Sequence, residues 1–324
     1  MRQSKLFVAG DLCVDVSQEG RSKAVPGEEH ELKGIAFSAG GCAANFSVIS
    51  GRLGLKPVLV SAIGDDFAAP LLKKELSKAG VRLKLKASRK PNAVSLISLG
   101  RAGDRAIQSV TNCLDDITAA DIRKSVLPGL SKGDLVYFGG FFHLKNIRRG
   151  FAGLLRAIRG RSALVCFDAC FDMRGEWDVA GLLPLIDYLF LNEKELMHLS
   201  EGGSAGERAE NLLKSGAGHV ILKRGSMGSS VYCTGSPATH AGAVGGKAKN
   251  TTGAGDAFNA GFLFGVTRGW TLRDCALAGN FVAARTLSGG AGPKPRDVAA
   301  FVERHGRAAS PKPGHDNSRR CSRT

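Results

Sequence analysis

The sequence predicts an α/β fold of three layers, in which helices cover both faces of a mostly parallel sheet, together with a small antiparallel β lid. Short apolar runs carry the prediction of the sheet, at 6–9, 58–63, 135–138, 163–167, 188–191 and 220–222. They do not alternate with polar residues, which is typical of parallel strands buried on both faces. Helical patterns lie between them, such as 68–79, which ends at the stop signal Gly80.

The lid is predicted from two polar, turn-rich segments that interrupt this alternation, 15–38 and 90–112. Within the second, residues 93–99 alternate with a period of two, as a strand with one solvated face does. Residues 100–104 would form the turn of a hairpin. We therefore expect an α/β core (1–14, 39–89 and 113–303), a β lid (15–38 and 90–112) and a basic, disordered tail (304–324).

The composition is that of an ordinary globular protein. No apolar run in the 324 residues approaches the ~20 needed to cross a membrane. The first apolar run is too short for a signal peptide, so a cytoplasmic location is expected. The eight cysteines include no CxxC pair, and Cys166 and Cys170 have no second pair of ligands near them in sequence. Free thiols in a reducing compartment are therefore expected rather than a zinc site.

The formal net charge of +16 raises the question of nucleic-acid binding. The charge distribution argues against it. From Arg304 onward six Lys and Arg stand against one Asp, so the tail alone supplies +5. The tail has no apolar periodicity, and we expect it to be disordered and dispensable for the main activity. The remaining excess is spread over helix faces without an aromatic-interleaved basic stripe. A positive field also favours an anionic substrate.

The most informative stretch is 250–258, which reads NTTGAGDAF. Small residues at Gly253, Ala254 and Gly255 lead into an apolar helical pattern, so unpaired backbone N–H groups at the helix start can hold an anion. Asp256 places a carboxylate in the same first turn. Phosphoryl transfer needs both parts, donors for the charge on the phosphoryl group and a base for the attacking hydroxyl.

Several other polar and glycine-rich clusters follow predicted strands. Since ligands of open α/β sheets bind outside the carboxyl ends of the strands, these clusters should converge on one cleft. Carboxylates just after the first strand suit ligands with hydroxyl groups, and a glycine-rich helix start permits close backbone approach. The clusters are Asp11 and Asp15, then Gly40, Gly41 and Asn45, then Asn192 and Glu195, and finally Gly225 and Gly228.

These pieces, in this order, resemble the PfkB, or ribokinase-like, carbohydrate kinase family from about residue 6 to 301. Residues 40–54 resemble the first signature of the family, and residues 250–256 resemble the second. Between them lie 64–67, Asp168 with Arg174 and Trp177, the N-x-x-E of 192–195 and the glycine turn of 225–228. The resemblance implies a ribokinase-like fold and ATP-dependent phosphorylation of a hydroxymethyl group on a sugar or nucleoside.

The resemblance also implies roles for individual residues. Asp256 would be the base, and the amides of Gly253, Ala254 and Gly255 would form the anion hole. The substrate's hydroxyls would be held by Asp15, Gly40, Gly41 and Asn45, with Asp11 a weaker candidate. Asn192 and Glu195 would organise Mg²⁺ and its waters beside ATP, with Glu195 acting through water. The nucleotide would be bordered by Asn192, Gly225, Gly228 and Asn280. The lid often also forms a homodimer interface in this family.

The chain departs from the family pattern at three positions. Asn250 replaces the acid that opens the second signature, which puts activation by a monovalent cation in doubt. Cys42 stands where ribokinases commonly have Lys, and Cys13 replaces a polar residue that contacts ribose. The less polar pocket argues against ribose, while nucleoside, fructose-type and ketodeoxysugar acceptors remain open.

Four other functions compete with that of a sugar kinase. A nucleoside kinase of the same fold is the first alternative to a sugar kinase, and a non-catalytic ATP-binding relative is the second. A nucleotide-dependent oxidoreductase is disfavoured because no G-x-G-x-x-G follows an early strand. A P-loop kinase is excluded because the chain has no G-x-x-x-x-G-K-[ST] motif.

Overall fold

A computed structural model describes residues 4–19, 27–29, 31–99, 105–245, 253–288 and 292–306. Within these ranges the chain forms thirteen strands in two sheets. The strands are β1 (Leu6–Gly10), β2 (Cys13–Glu19), β3 (Gly34–Gly40), β4 (Val58–Gly64), β5 (Arg82–Ser88), β6 (Ala93–Leu99), β7 (Arg105–Val110), β8 (Leu135–Gly139), β9 (Leu164–Asp168), β10 (Tyr188–Asn192), β11 (His219–Lys223), β12 (Ser229–Cys233) and β13 (Ser236–Ala241).

The large sheet has the strand order β13-β12-β11-β10-β9-β8-β1-β4-β5. The pairs from β11 through β1 to β5 are parallel, and only β12 and β13 run antiparallel at one edge. All six predicted strands are present and lie in the parallel part. The prediction of a mostly parallel sheet is therefore confirmed.

Helices cover both faces of this sheet, which gives the predicted three layers. They are α1 (Cys42–Arg52), α2 (Ala69–Lys78), α3 (Ala119–Val126), α4 (Phe151–Arg159), α5 (Glu193–Leu199), α6 (Ala205–Lys214), α7 (Ala254–Val266), α8 (Leu272–Leu287) and α9 (Pro295–Gly306). One core is built with α3 to α6 on the first face, and a second core with α1, α2 and α7 to α9 on the other. Among the described residues, no helix is long and apolar enough to cross a membrane.

Close packing fixes the helix that carries the NTTGAGDAF stretch. A Cβ on Gly261 of α7 would lie 2.7 Å from the carbonyl oxygen of Ala278 in α8. A Cβ on Gly279 of α8 would lie 2.7 Å from the Phe258 ring of α7. The two helices can approach this closely only because both positions lack a side chain. Close contact with α8 at Phe258 and Gly261 therefore positions the N-terminal half of α7.

The small sheet has the order β3-β2-β6-β7. It consists of two antiparallel hairpins, β2 with β3 and β6 with β7, joined side by side through the parallel pair of β2 and β6. The predicted lid is thus present as a separate small sheet. The hairpin turn predicted at 100–104 and Asn250 lie outside the described residues. The disordered tail was predicted to begin at 304, but 304–306 are the last residues of α9, and the rest of the tail lies outside the described residues.

Candidate active site

A cleft of about 590 Å³ lies between the carboxyl ends of the parallel strands and the inner face of the small sheet. Strand β1 and the residues after it contribute Asp11, and β10 and β11 contribute Asn192 and Lys223 at their last residues. The small sheet contributes Asp15 and Ser95. The polar ends of buried strands therefore converge on one cavity, as the sheet topology requires.

The first turn of α7 forms one wall of the cleft. Gly253 precedes the helix in a left-handed conformation with φ of 76°, which suits a residue without Cβ. The first amides of a helix have no partner within it, so those at Gly253, Ala254 and Gly255 are placed to receive an anion. All three residues line the cleft together with Asp256, whose side chain is buried.

Asp256 lies in an environment that disfavours its charged form. Burial raises its pKa well above the ordinary value, and the carboxylate of Asp168 raises it further. Lys223 and a hydrogen bond from Asn45 act in the opposite direction but do not outweigh burial. A carboxyl group with a raised pKa is a stronger proton acceptor once ionised, which is the property a general base requires.

A buried polar network extends from Asp256 toward the sheet. The Lys223 ammonium donates to Asp168 Oδ2 at 2.7 Å, and Asn259 of α7 donates to the same oxygen. Asn259 also donates to the Tyr137 hydroxyl at 3.0 Å. Sequence analysis did not propose Lys223 or Asn259 as functional residues. A signal was available for Lys223, since it is the charged last residue of the otherwise buried apolar run of β11.

Asn192 and Glu195 form a reciprocal cap at the start of α5. The Asn192 side-chain oxygen accepts from the Glu195 amide at 2.9 Å, and a Glu195 carboxylate oxygen accepts from the Asn192 amide at 2.8 Å. Both residues also line the cleft, so the cap and a role at the site coexist. Burial raises the pKa of Glu195 to about 7, although the nearby Lys223 lowers it.

This buried carboxyl group fits a cation. Mg²⁺ is usually held by one or two carboxylates together with waters and substrate phosphates. A cation nearby would stabilise the charged form that burial disfavours at Glu195. No cluster of three or more potential metal ligands occurs among the described residues.

The other end of the cleft is built around Asp11 and α1. Asp11 accepts from the Ala43 amide and pairs with His143 Nδ1, both at 2.9 Å. Burial would raise the pKa of Asp11, but these hydrogen bonds lower it below the ordinary value. The same pairing raises the pKa of His143 against the opposing effect of burial. His143, which the sequence did not suggest, therefore faces the cleft as a hydrogen-bond donor held by Asp11.

The two glycines before α1 make room for these acids. A Cβ on Gly40 would lie 2.1 Å from the Asp15 carboxyl group, and one on Gly41 would lie 2.7 Å from the Asp11 carbonyl oxygen. Asn45, one turn into α1, lines the cleft near Gly253. Of the residues predicted to bind substrate, Asp11, Asp15, Gly41 and Asn45 thus line the cleft, while Gly40 packs behind Asp15.

Of the four residues predicted to border a nucleotide, Asn192 lines the cleft, while Gly225, Gly228 and Asn280 lie beyond its walls. Gly228 packs against the end of β13, where a Cβ would lie 2.1 Å from the Ala241 carbonyl oxygen. Asn280 of α8 donates to the carbonyl oxygens of Ala241 and Gly242 at 3.0 and 2.9 Å. Gly225 lies in the tight turn after β11 with φ of 54°. The three residues therefore share the region between β11, β13 and α8.

Comparison with known proteins identifies the family of this chain. The model of the pfkB family carbohydrate kinases matches residues 3–293. An uncharacterised sugar kinase of Archaeoglobus fulgidus is 29% identical over 73% of this chain and 93% of its own length. A nucleoside kinase of Methanothermobacter thermautotrophicus is 27% identical over 80% of this chain and 81% of its own.

A solved structure shares the fold. The ribokinase of Arabidopsis thaliana, in complex with ribose and ATP, superimposes with a TM-score of 0.79 at 21% identity. The alignment covers 93% of this chain and 99% of that one. With the family model matching nearly the whole chain, the protein belongs to the pfkB family of carbohydrate kinases and is a phosphotransferase with an alcohol group as acceptor.

Proposed function

We propose that the protein transfers the γ-phosphoryl group of ATP to a hydroxymethyl group of a sugar. The observation that supports this most directly is the placement of Asp256 and the open amides of α7 in one cleft with Asp15 and Asn45. A phosphoryl group held at the helix start would lie beside the base. An acceptor held by Asp15 and Asn45 would bring its hydroxyl to the same point.

The positions of these residues in the cleft assign each of them a step in the proposed reaction. As the acceptor oxygen attacks the γ-phosphorus, Asp256 takes the hydroxyl proton, and the bond from phosphorus to the ADP oxygen breaks. The amides of Gly253, Ala254 and Gly255 donate to the phosphoryl oxygens as charge develops. Asn192 and Glu195 would hold the hydrated Mg²⁺, which neutralises phosphate charge. Gly225, Gly228 and Asn280 would border the rest of the nucleotide.

The charges at the acceptor end favour a neutral sugar. Asp11 and Asp15 contribute two carboxylates there, and His143 is the basic partner. Carboxylate and phosphate groups are usually bound by Arg or Lys. Among the described residues that line the cleft, the only Lys or Arg is Lys223, which lies against the start of α7 and not at the acceptor end. We therefore infer an acceptor without a carboxylate or phosphate group.

A nucleoside is the second candidate acceptor. Phe171 lines the cleft with 55% of its surface exposed, and Ile97 and Ile107 of the small sheet face it. Such apolar surface could pack against a nucleobase. A less favoured alternative, a relative that binds ATP without catalysis, would need some other use for the intact Asp256 site.

The test is ADP release from ATP and Mg²⁺ across neutral sugars, sugar acids, sugar phosphates and nucleosides. We expect turnover on neutral sugars. Turnover confined to nucleosides would show that the acceptor is a nucleoside and not a sugar. Binding of ATP with no turnover on any acceptor would contradict the proposal and support a non-catalytic role.

The outer face of the small sheet suits a homodimer interface. Cross-strand register places Val16, Phe37 and Leu96 side by side, with Ile35 on the same face. Phe37 and Leu96 are each exposed by 48% and Ile35 by 57%. An exposed apolar patch of this kind commonly marks a protein interface. We propose that two copies of the chain pair through this face.

Phe37→Glu should convert the dimer into a monomer, because a charge at the centre of an apolar interface would be buried without a partner. Sedimentation or light scattering coupled to gel filtration would measure the mass. Met197→Glu is the matched control, since Met197 is also exposed, at 64%, but lies on α5 away from this sheet. A monomeric wild type, or a Phe37→Glu dimer of unchanged affinity, would contradict the interface.

A further inference from the structure

The cleft contains far more negative than positive groups. Five carboxyl groups line it against one lysine and one histidine among the described residues. They are Asp11, Asp15, Asp168, Glu195 and Asp256. ATP adds further negative charge, and phosphoryl transfer requires that charge be stabilised at the transferring group. His143 is paired with Asp11 at the acceptor end, which leaves Lys223 as the cation near α7.

Lys223 lies against the start of α7. Its ammonium nitrogen is 3.4 Å from the position that a Cβ on Gly255 would occupy. Because Gly255 has no side chain, the ammonium and the backbone amides of this turn border the same space. The Lys223 side chain keeps 14% of its surface exposed and lines the cleft, so it is accessible to a ligand.

Asp168 holds the ammonium in this place. Its carboxylate is 3% exposed and accepts from Lys223, from Asn259 and, at 3.1 Å, from the Cys170 amide. Two uncharged donors therefore help to stabilise Asp168, so Lys223 is not its only partner. An ammonium group has three N–H donors. The described structure records one hydrogen bond from Lys223, the one to Asp168, which leaves donors for a ligand.

The charge on Lys223 is maintained at neutral pH. Burial would lower the pKa of this group, but the charges of Asp168 and Glu195 outweigh burial and raise it above the ordinary value. The same ammonium lowers the pKa of Asp256.

We propose that Lys223 is a catalytic residue that donates a charged hydrogen bond to the transferring phosphoryl group, with Asp168 as its positioning residue. This inference rests on the proposed function. Lys223 forms and breaks no covalent bond. It stabilises the charge on the phosphoryl oxygens while the bond to ADP breaks, the bond to the acceptor oxygen forms and the proton passes to Asp256.

Lys223→Met keeps the length of the side chain and removes its charge. We expect kcat to fall by ~10²- to 10³-fold, the usual scale for loss of one donor to transition-state charge. A second readout is the affinity for ADP with Mg²⁺, acceptor and aluminium fluoride, which imitates the phosphoryl group in transfer. It should fall by a similar factor, while the affinity for ADP and Mg²⁺ alone changes by less than about three-fold.

The competing explanation is that Lys223 only neutralises the buried Asp168. The double variant Lys223→Met/Asp168→Asn decides between the two, because it removes both charges of the pair. We expect the double variant to recover the melting temperature lost in Lys223→Met while kcat and the affinity for the aluminium fluoride complex stay low. Recovery of turnover to near the wild-type rate would overturn the inference.

Wild-type turnover on the same acceptor is the positive control. It separates a failure of this inference from a failure of the proposed kinase activity. A wild type that turns over, together with a Lys223→Met variant of equal kcat, would leave the proposed function intact and reject the role of Lys223.

Discussion

Asp256→Asn should lower kcat by at least ~10²-fold, the scale expected when a positioned general base is removed. The amide that replaces the carboxylate has a similar shape but cannot take the acceptor's proton. Because Asp256 lies in the first turn of α7 and only its side chain is changed, the backbone of the proposed anion hole should remain unchanged. Binding of ATP should therefore stay within a few-fold of the wild type. Steady-state kinetics and calorimetry would measure both quantities.

The same substitution should make the protein more stable. The pKa of Asp256 in the folded protein is raised above its unfolded value, so the folded state binds the proton more tightly. Its contribution to stability is fully present below the unfolded pKa and is lost as the pH rises through the folded pKa. Asparagine is neutral throughout. The melting temperature of Asp256→Asn should therefore exceed that of the wild type increasingly as the pH rises through that value.

The pH dependence of activity has the opposite sign. The ionised carboxylate is the active form of the base, so wild-type kcat/KM should fall as the pH decreases through the raised pKa of Asp256. Asp297→Asn is a matched control, since Asp297 is also an acid in a first helical turn but lies on α9 at the surface. Near-normal turnover of Asp256→Asn, or a loss of similar size in Asp297→Asn, would reject Asp256 as the base.

The sequence predicts the centre of the sheet better than its edges. The runs at 58–63 and 188–191 are apolar throughout because parallel central strands are covered on both faces, and this pattern needs no knowledge of the partners. Strand β5 was missed because it lies at the edge, where lysine alternates with leucine and half of the side chains face solvent. The antiparallel β13 was missed for a related reason, since it is the other edge strand, is mostly exposed and has no apolar run. The buried β12 was missed because its five residues begin with two serines and so do not form an apolar run.

The residues of the candidate site likewise divide into those that the sequence could suggest and those that it could not. Asp256 and Asn192 could be proposed because their roles depend on a local helix start, which spacing along the chain reveals. The pair of Lys223 and Asp168 could not be proposed from the sequence. The two residues are 55 positions apart and meet only through the strand order β9-β10-β11. His143 likewise depends on a contact across 132 positions to Asp11. Sequence reasoning therefore proposed residues that a local helix start positions, and it did not reach the partners that the fold brings to them from distant parts of the chain.

Asp15→Asn should raise the acceptor KM by ~10- to 100-fold, because a hydrogen bond to a charged group contributes about 1.5–3 kcal/mol. Asp15 is the stronger of the two acids for this role. Both carboxylate oxygens of Asp11 are already bonded, one to the Ala43 amide and one to His143, and Asp11 is 3% exposed. Asp15 accepts a hydrogen bond from the Cys13 thiol at 3.4 Å and lies on the cleft face of β2, in register with Ser38 and Ser95 of the neighbouring strands.

The role of Asp15 in acceptor binding is tested by whether Asp15→Asn changes the acceptor KM alone. An acid that binds acceptor hydroxyls should change the acceptor KM and leave the KM for ATP within about two-fold, because the start of α7 and not β2 would hold the phosphates. Asp178→Asn serves as the control, since Asp178 is exposed and does not line the cleft. A parallel rise in both KM values would assign Asp15 to the closure of the lid rather than to the acceptor. If Asp11→Asn instead gave the larger and more selective rise, then the paired acid at the base of the cleft would be the one that contacts the sugar, and Asp15 would only shape the lid around Gly40.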